Sequence, residues 1–249
     1  MRFLIIVPTL NSYRLLPKLI DSIRKQIFKE WRVIFVDGDS EIEHKNYLRK
    51  ICDKDPRFKY ISQKKERKGI YGAMNQGFSY VLPNEWALFL GSDDWLAFDD
   101  VLLKINNMNK KPNFYHLLIG NAVYVENDDV LLRNSFFDFF RTFKLSFLLG
   151  SSPAHQGTLY SYLLNEKKYD ENYKLAGDLE HFLSISKFKG LNLFITKQII
   201  THMSNGGVSQ KYNLLRTKEV MKAYIKHFGI IFFVPLFFRY LKRLISLIK

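Results

Sequence analysis

The chain has 249 residues, 47% hydrophobic and 25% charged, ordinary proportions for one large globular domain or two small ones. They exclude disordered, collagen-like and mucin-like classes. Lysine and arginine outnumber acids 38 to 24, a net charge of +14 that suits nucleic acid, anionic lipid or phosphorylated small substrates alike. The single cysteine, Cys52, excludes an intrachain disulfide framework and a Cys-rich zinc site and points to a reducing compartment.

The N-terminus, MRFLIIVPTLN, reads as a strand over residues 3–7 and not as a signal peptide, because one basic residue precedes the apolar run and no small-residue cleavage site follows. Leu15, Leu16, Leu19, Ile20, Ile23 and Ile27 recur at helical spacing, with Asn11 or Ser12 as the expected N-cap. Residues 31–36 form a second β-rich run ending at Asp37-Gly38. A polar helix to about Cys52, a strand over 58–61, a helix over 70–80 and an apolar strand over 86–90 follow. Repeated β-α units predict a parallel sheet. Farther on the pattern is less regular. Strands are expected at 114–120, 122–125 and 158–163, an aromatic amphipathic segment at 135–149, a helix at 178–188 and a β run at 191–200. A loop at 204–209 then leads to a basic helix. The longest apolar run, 228–238, is broken by Pro235 and is about half the roughly 20 residues a spanning helix needs, so no transmembrane helix is expected.

Parallel α/β sheets bind ligands at the carboxyl ends of their strands. Three such ends are polar: Pro8-Thr9-Leu10-Asn11, Asp37-Gly38-Asp39-Ser40 and Gly91-Ser92-Asp93-Asp94. Asx and Gly also make ordinary turns and caps, but three polar strand ends together favour a site. The adjacent acids Asp93 and Asp94 repel each other unless a cation or donors compensate, and hard Mg²⁺ or Mn²⁺ ions favour carboxylate plus phosphate oxygens. Neither G-x-G-x-x-G after the first strand nor G-x-x-x-x-G-K-[ST] occurs, and no G-x-S-x-G elbow is present. Dinucleotide, P-loop and serine-hydrolase chemistry are therefore unsupported, leaving metal-assisted transfer from a diphosphate donor.

The ordered set Val7-Pro8-Thr9-Leu10-Asn11, Val36-Asp37-Gly38-Asp39-Ser40, Lys68-Gly69-Ile70-Tyr71-Gly72-Ala73-Met74-Asn75-Gln76-Gly77, Leu90-Gly91-Ser92-Asp93-Asp94, His155-Gln156 and Gly177-Asp178 resembles the inverting glycosyltransferases of family 2. The G-I-Y-x-A-M-N segment resembles bacterial enzymes that build surface polysaccharides. The resemblance implies an α/β fold of the GT-A nucleotide-diphospho-sugar transferase type, with a central, mostly parallel sheet flanked by helices. It would occupy residues 1–210, followed by a basic amphipathic helical appendage over 211–249.

It also implies roles. Pro8, Thr9, Asn11 and Asp37 would line the base and ribose pocket, with the Asp37 carboxylate accepting a ring N–H or sugar hydroxyl. Lys68, Gly69 and Asn75 would approach the donor. Asp94 would bind a divalent metal, Mn²⁺ or Mg²⁺, and Ser92 and Asp93 would contact ribose or the donor sugar. Asp178 would be the general base for the acceptor hydroxyl, a role compatible with capping its helix. His155 and Gln156 would sit on the acceptor side. The donor would be a nucleotide-diphosphate sugar, UDP by family habit, and the acceptor a glycan or lipid-linked glycan. Glu41-Ile42-Glu43 after Ser40, Gly72 and Gly177 depart from the family pattern, so base, donor-sugar and acceptor contacts there are not carried over.

Residues 211–249 hold nine basic residues against one acid, Glu219, and combine them with aromatics. This composition suits an interfacial helix on an anionic membrane, with the protein peripheral at the cytoplasmic face. Packing on the domain or on a second subunit is the alternative. A catalytically silent scaffold of the same fold is the second functional reading, and acidic strand-end loops argue against a nucleic-acid partner.

Overall fold

A computed structural model describes residues 1–111, 113–126, 130–135, 137–204 and 213–248; of the loop expected at 204–209, Ser204 ends a strand and the rest lies outside them. In chain order the strands are β1 (Arg2–Thr9), β2 (Trp31–Asp37), β3 (Phe58–Ser62), β4 (Glu85–Phe89), β5 (Trp95–Leu96), β6 (Leu117–Glu126), β7 (Val130–Ser135), β8 (Thr158–Ser161) and β9 (Leu193–Ser204). The helices are α1 (Leu16–Arg24), α2 (Ile42–Lys54), α3 (Gly69–Phe78), α4 (Val101–Met108), α5 (Phe143–Leu148), α6 (Gly177–Ile185), α7 (Asn213–Phe228) and α8 (Phe233–Ile248).

Among the described residues the strands form one nine-stranded sheet in the order β3-β2-β1-β4-β8-β6-β9-β5, with β7 on β6. As expected, β1 to β4 pair in parallel. The sheet turns mixed where β-α alternation stops: β8 runs antiparallel to β4 and β6, while β9 runs parallel to β6. The two-residue strand β5 was too short to show a period, and it closes the far edge against β9.

β1 is apolar along nearly its whole length because both faces of the sheet are covered. Leu4 and Ile6 face a core shared with α3, α6 and α7, whereas Phe3, Ile5 and Val7 face α1, α2 and α4. The high aromatic content gathers in the first of these cores, where Phe78, Phe89, Tyr160 and Phe182 meet edge-on and stacked. Val220, Ala223 and Tyr224 of α7 join the same core, so the expected appendage packs into the domain through that helix. Among the described residues no helix is long and apolar enough to cross a membrane.

One local expectation is corrected, and two local features are added. Helix α1 begins after Leu15 without a side-chain cap, because Asn11 and Ser12 bond to neighbouring loops instead. Among the described residues of the aromatic segment at 135–149, α5 forms the helix, capped by Thr142 Oγ1 accepting from the Leu145 amide at 3.1 Å. Asp100 occupies the N-cap position of α4, but its side chain makes no cap bond and pairs with Lys104 at 2.9 Å.

Candidate active site

The loops after β1, β2 and β4 are laced together. The Gly38 amide donates to Thr9 O at 2.8 Å. The Asn11 amide donates to Ser40 Oγ at 2.8 Å, and Asn11 Oδ1 accepts from the Glu41 amide at 2.8 Å. Asn11 adopts φ +48°, a left-handed conformation that asparagine tolerates. Toward β4, Ser12 Oγ donates to Ser92 Oγ at 2.8 Å and Ser92 Oγ to Pro8 O at 3.2 Å. Pro8, Thr9, Asn11, Asp37 and Ser92 thus share one framework at adjacent strand ends.

Asp37 does not present an open carboxylate. It is fully buried, with Oδ1 accepting from Thr9 Oγ1 at 3.2 Å and from Ser40 Oγ, and Oδ2 accepting from the Ser40 amide at 3.0 Å. His44 Nε2 lies 3.3 Å from Oδ1, and burial holds the His44 pKa below its ordinary value against the pull of Asp37. Both oxygens thus take protein donors, and Asp37 ties the loops after β1 and β2 together from beneath.

Beyond β4, Gly91 sits between two carboxylates. A Cβ there would lie 2.8 Å from Asp93 Oδ1 and 2.9 Å from Asp94 Oδ2, so both acids converge over a position only glycine can fill. Asp94 Oδ2 accepts from the Gly91 amide at 2.9 Å, and Asp93 Oδ2 accepts from Ser204 Oγ at 2.8 Å. Burial, reinforced by the Asp93 charge, pushes the Asp94 pKa up to about 7; hydrogen bonds from the Gly91 amide and the Gln156 side chain oppose this without supplying a full charge. A carboxylate pair so placed suits a hard divalent cation. Among the described residues no three His, Cys, Asp or Glu side chains form a metal-holding group.

A second group lies around α3. Lys68 is exposed, and its amide donates to Glu171 Oε2 at 2.9 Å, while Gly69 opens the helix. Asn75 does not face a donor. Its Nδ2 donates to Tyr169 O at 3.0 Å and to Glu171 Oε1 at 2.9 Å, and its Oδ1 accepts from the Tyr169 amide at 2.8 Å. This buried side chain clamps α3 to residues 169–171. His155 is likewise internal: it shares a 2.7 Å hydrogen bond with Tyr169 Oη, its ring packs 5.2 Å from Phe89, and burial with nearby His181 pushes its pKa down to about 3. His155 is thus a neutral, buried histidine, while the Gln156 side chain hydrogen-bonds to Asp94.

Asp178 lies in the first turn of α6, partly buried, with Ala176 and not Asp178 at the N-cap. Burial raises its pKa; the Leu179 amide and the positive charges of Arg239 and Arg216 pull the other way. Gly177 is required here because a Cβ would stand 2.6 Å from the Tyr71 ring, and Tyr71 in turn stacks on Tyr169 with centroids 5.7 Å apart. Contacts therefore run from Asp94 through Gln156 and His155 to Tyr169, Tyr71 and the Gly177-Asp178 turn.

No motif marks Glu219 of α7. Its Oε1 accepts from the Lys174 amide at 2.8 Å, and its Oε2 from the Leu175 and Ala176 amides at 2.8 and 2.9 Å. It holds the entry to α6 just before Asp178. The one sequence signal is that it is the sole acid in a basic stretch.

Searches place this geometry in a known class. The fold is that of the GT-A transferases. TarS of S. aureus, residues 1-349 in complex with UDP-GlcNAc, superposes with TM-score 0.69 at 20% identity over 90% of this chain and 66% of that one. The mannosyltransferase PcManGT of Pyrobaculum calidifontis, in complex with GDP-Man and Mn2+, gives TM-score 0.65 at 15% identity over 95% and 69%. The model of Glycosyl transferase family 2 matches residues 4–173, and the chain belongs to that family. It is 31% identical over 159 residues to a PGL/p-HBAD biosynthesis glycosyltransferase of Mycobacterium tuberculosis, covering 64% of this chain and 58% of that protein. With the GalNAc(5)-diNAcBac-PP-undecaprenol beta-1,3-glucosyltransferase of Campylobacter jejuni it shares 27% identity over 187 residues, 66% of this chain and 60% of that one. The chain thus spans about three fifths of the length of these relatives.

Proposed function

We propose that the chain transfers a sugar from a nucleotide-diphosphate sugar to a hydroxyl of a glycan or lipid-linked glycan, inverting the anomeric configuration in one displacement. The observation that carries this reading is the unbroken contact framework joining the Asp93-Asp94 pair to Asp178. One end of it is suited to a diphosphate and the other to a proton.

The Pro8–Asn11 loop, floored by Asp37, receives the nucleotide, with Ser92 and Asp93 toward the ribose and donor sugar and the exposed Lys68 toward the phosphates. Asp94, with Asp93 beside it, would hold Mn²⁺ or Mg²⁺. Such an ion when bound supplies Lewis-acid neutralisation of the diphosphate leaving group. Asp178 takes the proton from the acceptor oxygen as it attacks the anomeric carbon, and the bond to the diphosphate oxygen breaks with its electron pair. The raised Asp178 pKa suits a base that must accept a proton in the transition state. UDP is the preferred nucleotide, supported by the UDP-GlcNAc bound in TarS. An undecaprenol-linked acceptor is supported by the Campylobacter relative.

Two expected results test the donor end. Asp94→Asn weakens Mn²⁺-dependent UDP binding about tenfold or more by calorimetry. Gly91→Ala does the same, because its methyl group would sit between the two carboxylates.

A pH effect accompanies the first. An acid whose folded pKa exceeds its unfolded value favours the fold at low pH, and that contribution is lost as pH rises from 3.8 toward about 7. Metal-free Asp94→Asn protein should therefore be the more stable of the two at about pH 8, by about 1–3 kcal/mol, and the gap should narrow by about pH 5. Thermal melts at the two pH values read this directly.

A further inference from the structure

The C-terminal helix α8 is oriented against the usual rule for a surface helix. Its inward side carries Pro235 and Leu236 together with two cations, Arg239 donating to Ser152 Oγ at 3.1 Å and Lys242 to Asp138 Oδ2 at 2.9 Å. Its outward side is apolar. Phe233 is 58% exposed, Phe237 62%, Leu241 37% and Leu244 57%, and Ile230 just before the helix is 88% exposed. Spacings of three and four residues align them in one stripe. Scattered exposed apolar residues are ordinary, but a stripe along one helix calls for an occupant.

Exposed cations lie on the elements that pack with α8. Arg141 and Lys144 lie on the segment that α8 packs against, where Lys242 also covers the Phe140 ring at 4.8 Å. Lys218 is exposed beside Thr217, whose Oγ1 accepts from Tyr240 Oη of α8 at 3.4 Å. The chain carries a net charge of +14, and residues 211–249 hold nine basic residues and one acid, a balance that favours an anionic surface over a second copy of the same chain. An anionic bilayer satisfies both features, taking the stripe among its acyl chains and the cations among its headgroups.

We infer that α8 lies in the plane of an anionic membrane surface, its Phe233–Phe237–Leu241–Leu244 stripe buried at the level of the headgroups and first methylenes. The fold then sets the candidate site beside the lipid surface, since Arg239 on the inward side of the same helix is among the charges acting on Asp178.

The test is cosedimentation of the full chain with vesicles of phosphatidylglycerol and phosphatidylcholine in equal parts, and with phosphatidylcholine alone, at low and high salt. It uses neither donor nor acceptor, so its outcome is separate from that of the transfer reading. The expected result is binding to the anionic vesicles at least tenfold stronger than to the neutral ones and weakened by salt. A Phe237→Glu, Leu244→Glu double variant should lose it by about tenfold or more, with an unchanged melting temperature because both side chains face outward. A second variant, Arg141→Glu with Lys144→Glu, should lower the anionic preference without altering the stripe. Absence of vesicle binding by folded protein would overturn the inference. So would a solution dimer that the Phe237 and Leu244 substitutions dissociate, because the stripe would then belong to a second copy.

Discussion

Asp178→Asn should lower the rate of sugar transfer by about 10²–10⁴-fold and leave nucleotide binding within about twofold of the natural protein. The amide keeps the size of the carboxylate and the turn around it, so the Tyr71–Gly177 contact and the α6 entry persist. It cannot accept a proton from the acceptor hydroxyl, a loss felt only in the chemical step. Burial raises the Asp178 pKa, and a base must be unprotonated to act. Transfer by the natural protein should therefore fall as pH drops through that raised value, at a higher pH than an ordinary carboxylate near 3.8 would give. Rates of nucleotide release against pH, alongside calorimetry of UDP, separate the two effects; an unchanged rate in the variant would remove Asp178 from the chemistry.

Glu219→Gln is the second large effect, and it arises in the segment farthest from any motif. The Glu219 carboxylate receives three consecutive backbone N–H groups, those of Lys174, Leu175 and Ala176. Glutamine replaces one acceptor oxygen with a donor, so at least one buried amide loses its partner and faces an N–H group. Charge-assisted bonds of this kind are worth about 1.5–3 kcal/mol each and are not additive, so a stability loss of about 2–4 kcal/mol is expected in urea unfolding. The α6 entry then shifts, and a displacement of about 1 Å at a catalytic group costs about 10²-fold. The distinguishing readout is the division of the effect. kcat falls while UDP affinity holds, because the β1, β2 and β4 loops take no contact from Glu219. A parallel loss of nucleotide binding would mean general unfolding.

The gathering of the polar strand ends was legible in the sequence because their structure is local. Short apolar runs buried on both faces define β1, β2 and β4, and the polar residues after them must lie at one edge of a parallel sheet. The Asp93-Asp94 pair accordingly lies just past β4, beside the loops that follow β1 and β2. What escaped was pairing across long sequence separations. Gln156 reaches Asp94 and Glu219 reaches residues 174–176 through tertiary packing that leaves no period or spacing to read. The protein partners of Asn75, Asp37 and His155 escaped for a related reason. Each is a polar residue in a motif, and polarity alone does not reveal that backbone amides, hydroxyls or a tyrosine already occupy its bonding capacity. The outward apolar stripe of α8 is a further case: its composition suggested an interface, but only the packed helix shows which side faces out.

Calorimetric titration of UDP and a UDP-sugar with and without Mn²⁺ tests the central claim most directly, comparing the natural protein with Asp94→Asn and Asp178→Asn. The account predicts Mn²⁺-dependent binding by the natural protein, weakened about tenfold or more by Asp94→Asn and retained by Asp178→Asn. No binding of any nucleotide by folded protein, or binding indifferent to Mn²⁺ and to Asp94, would contradict it.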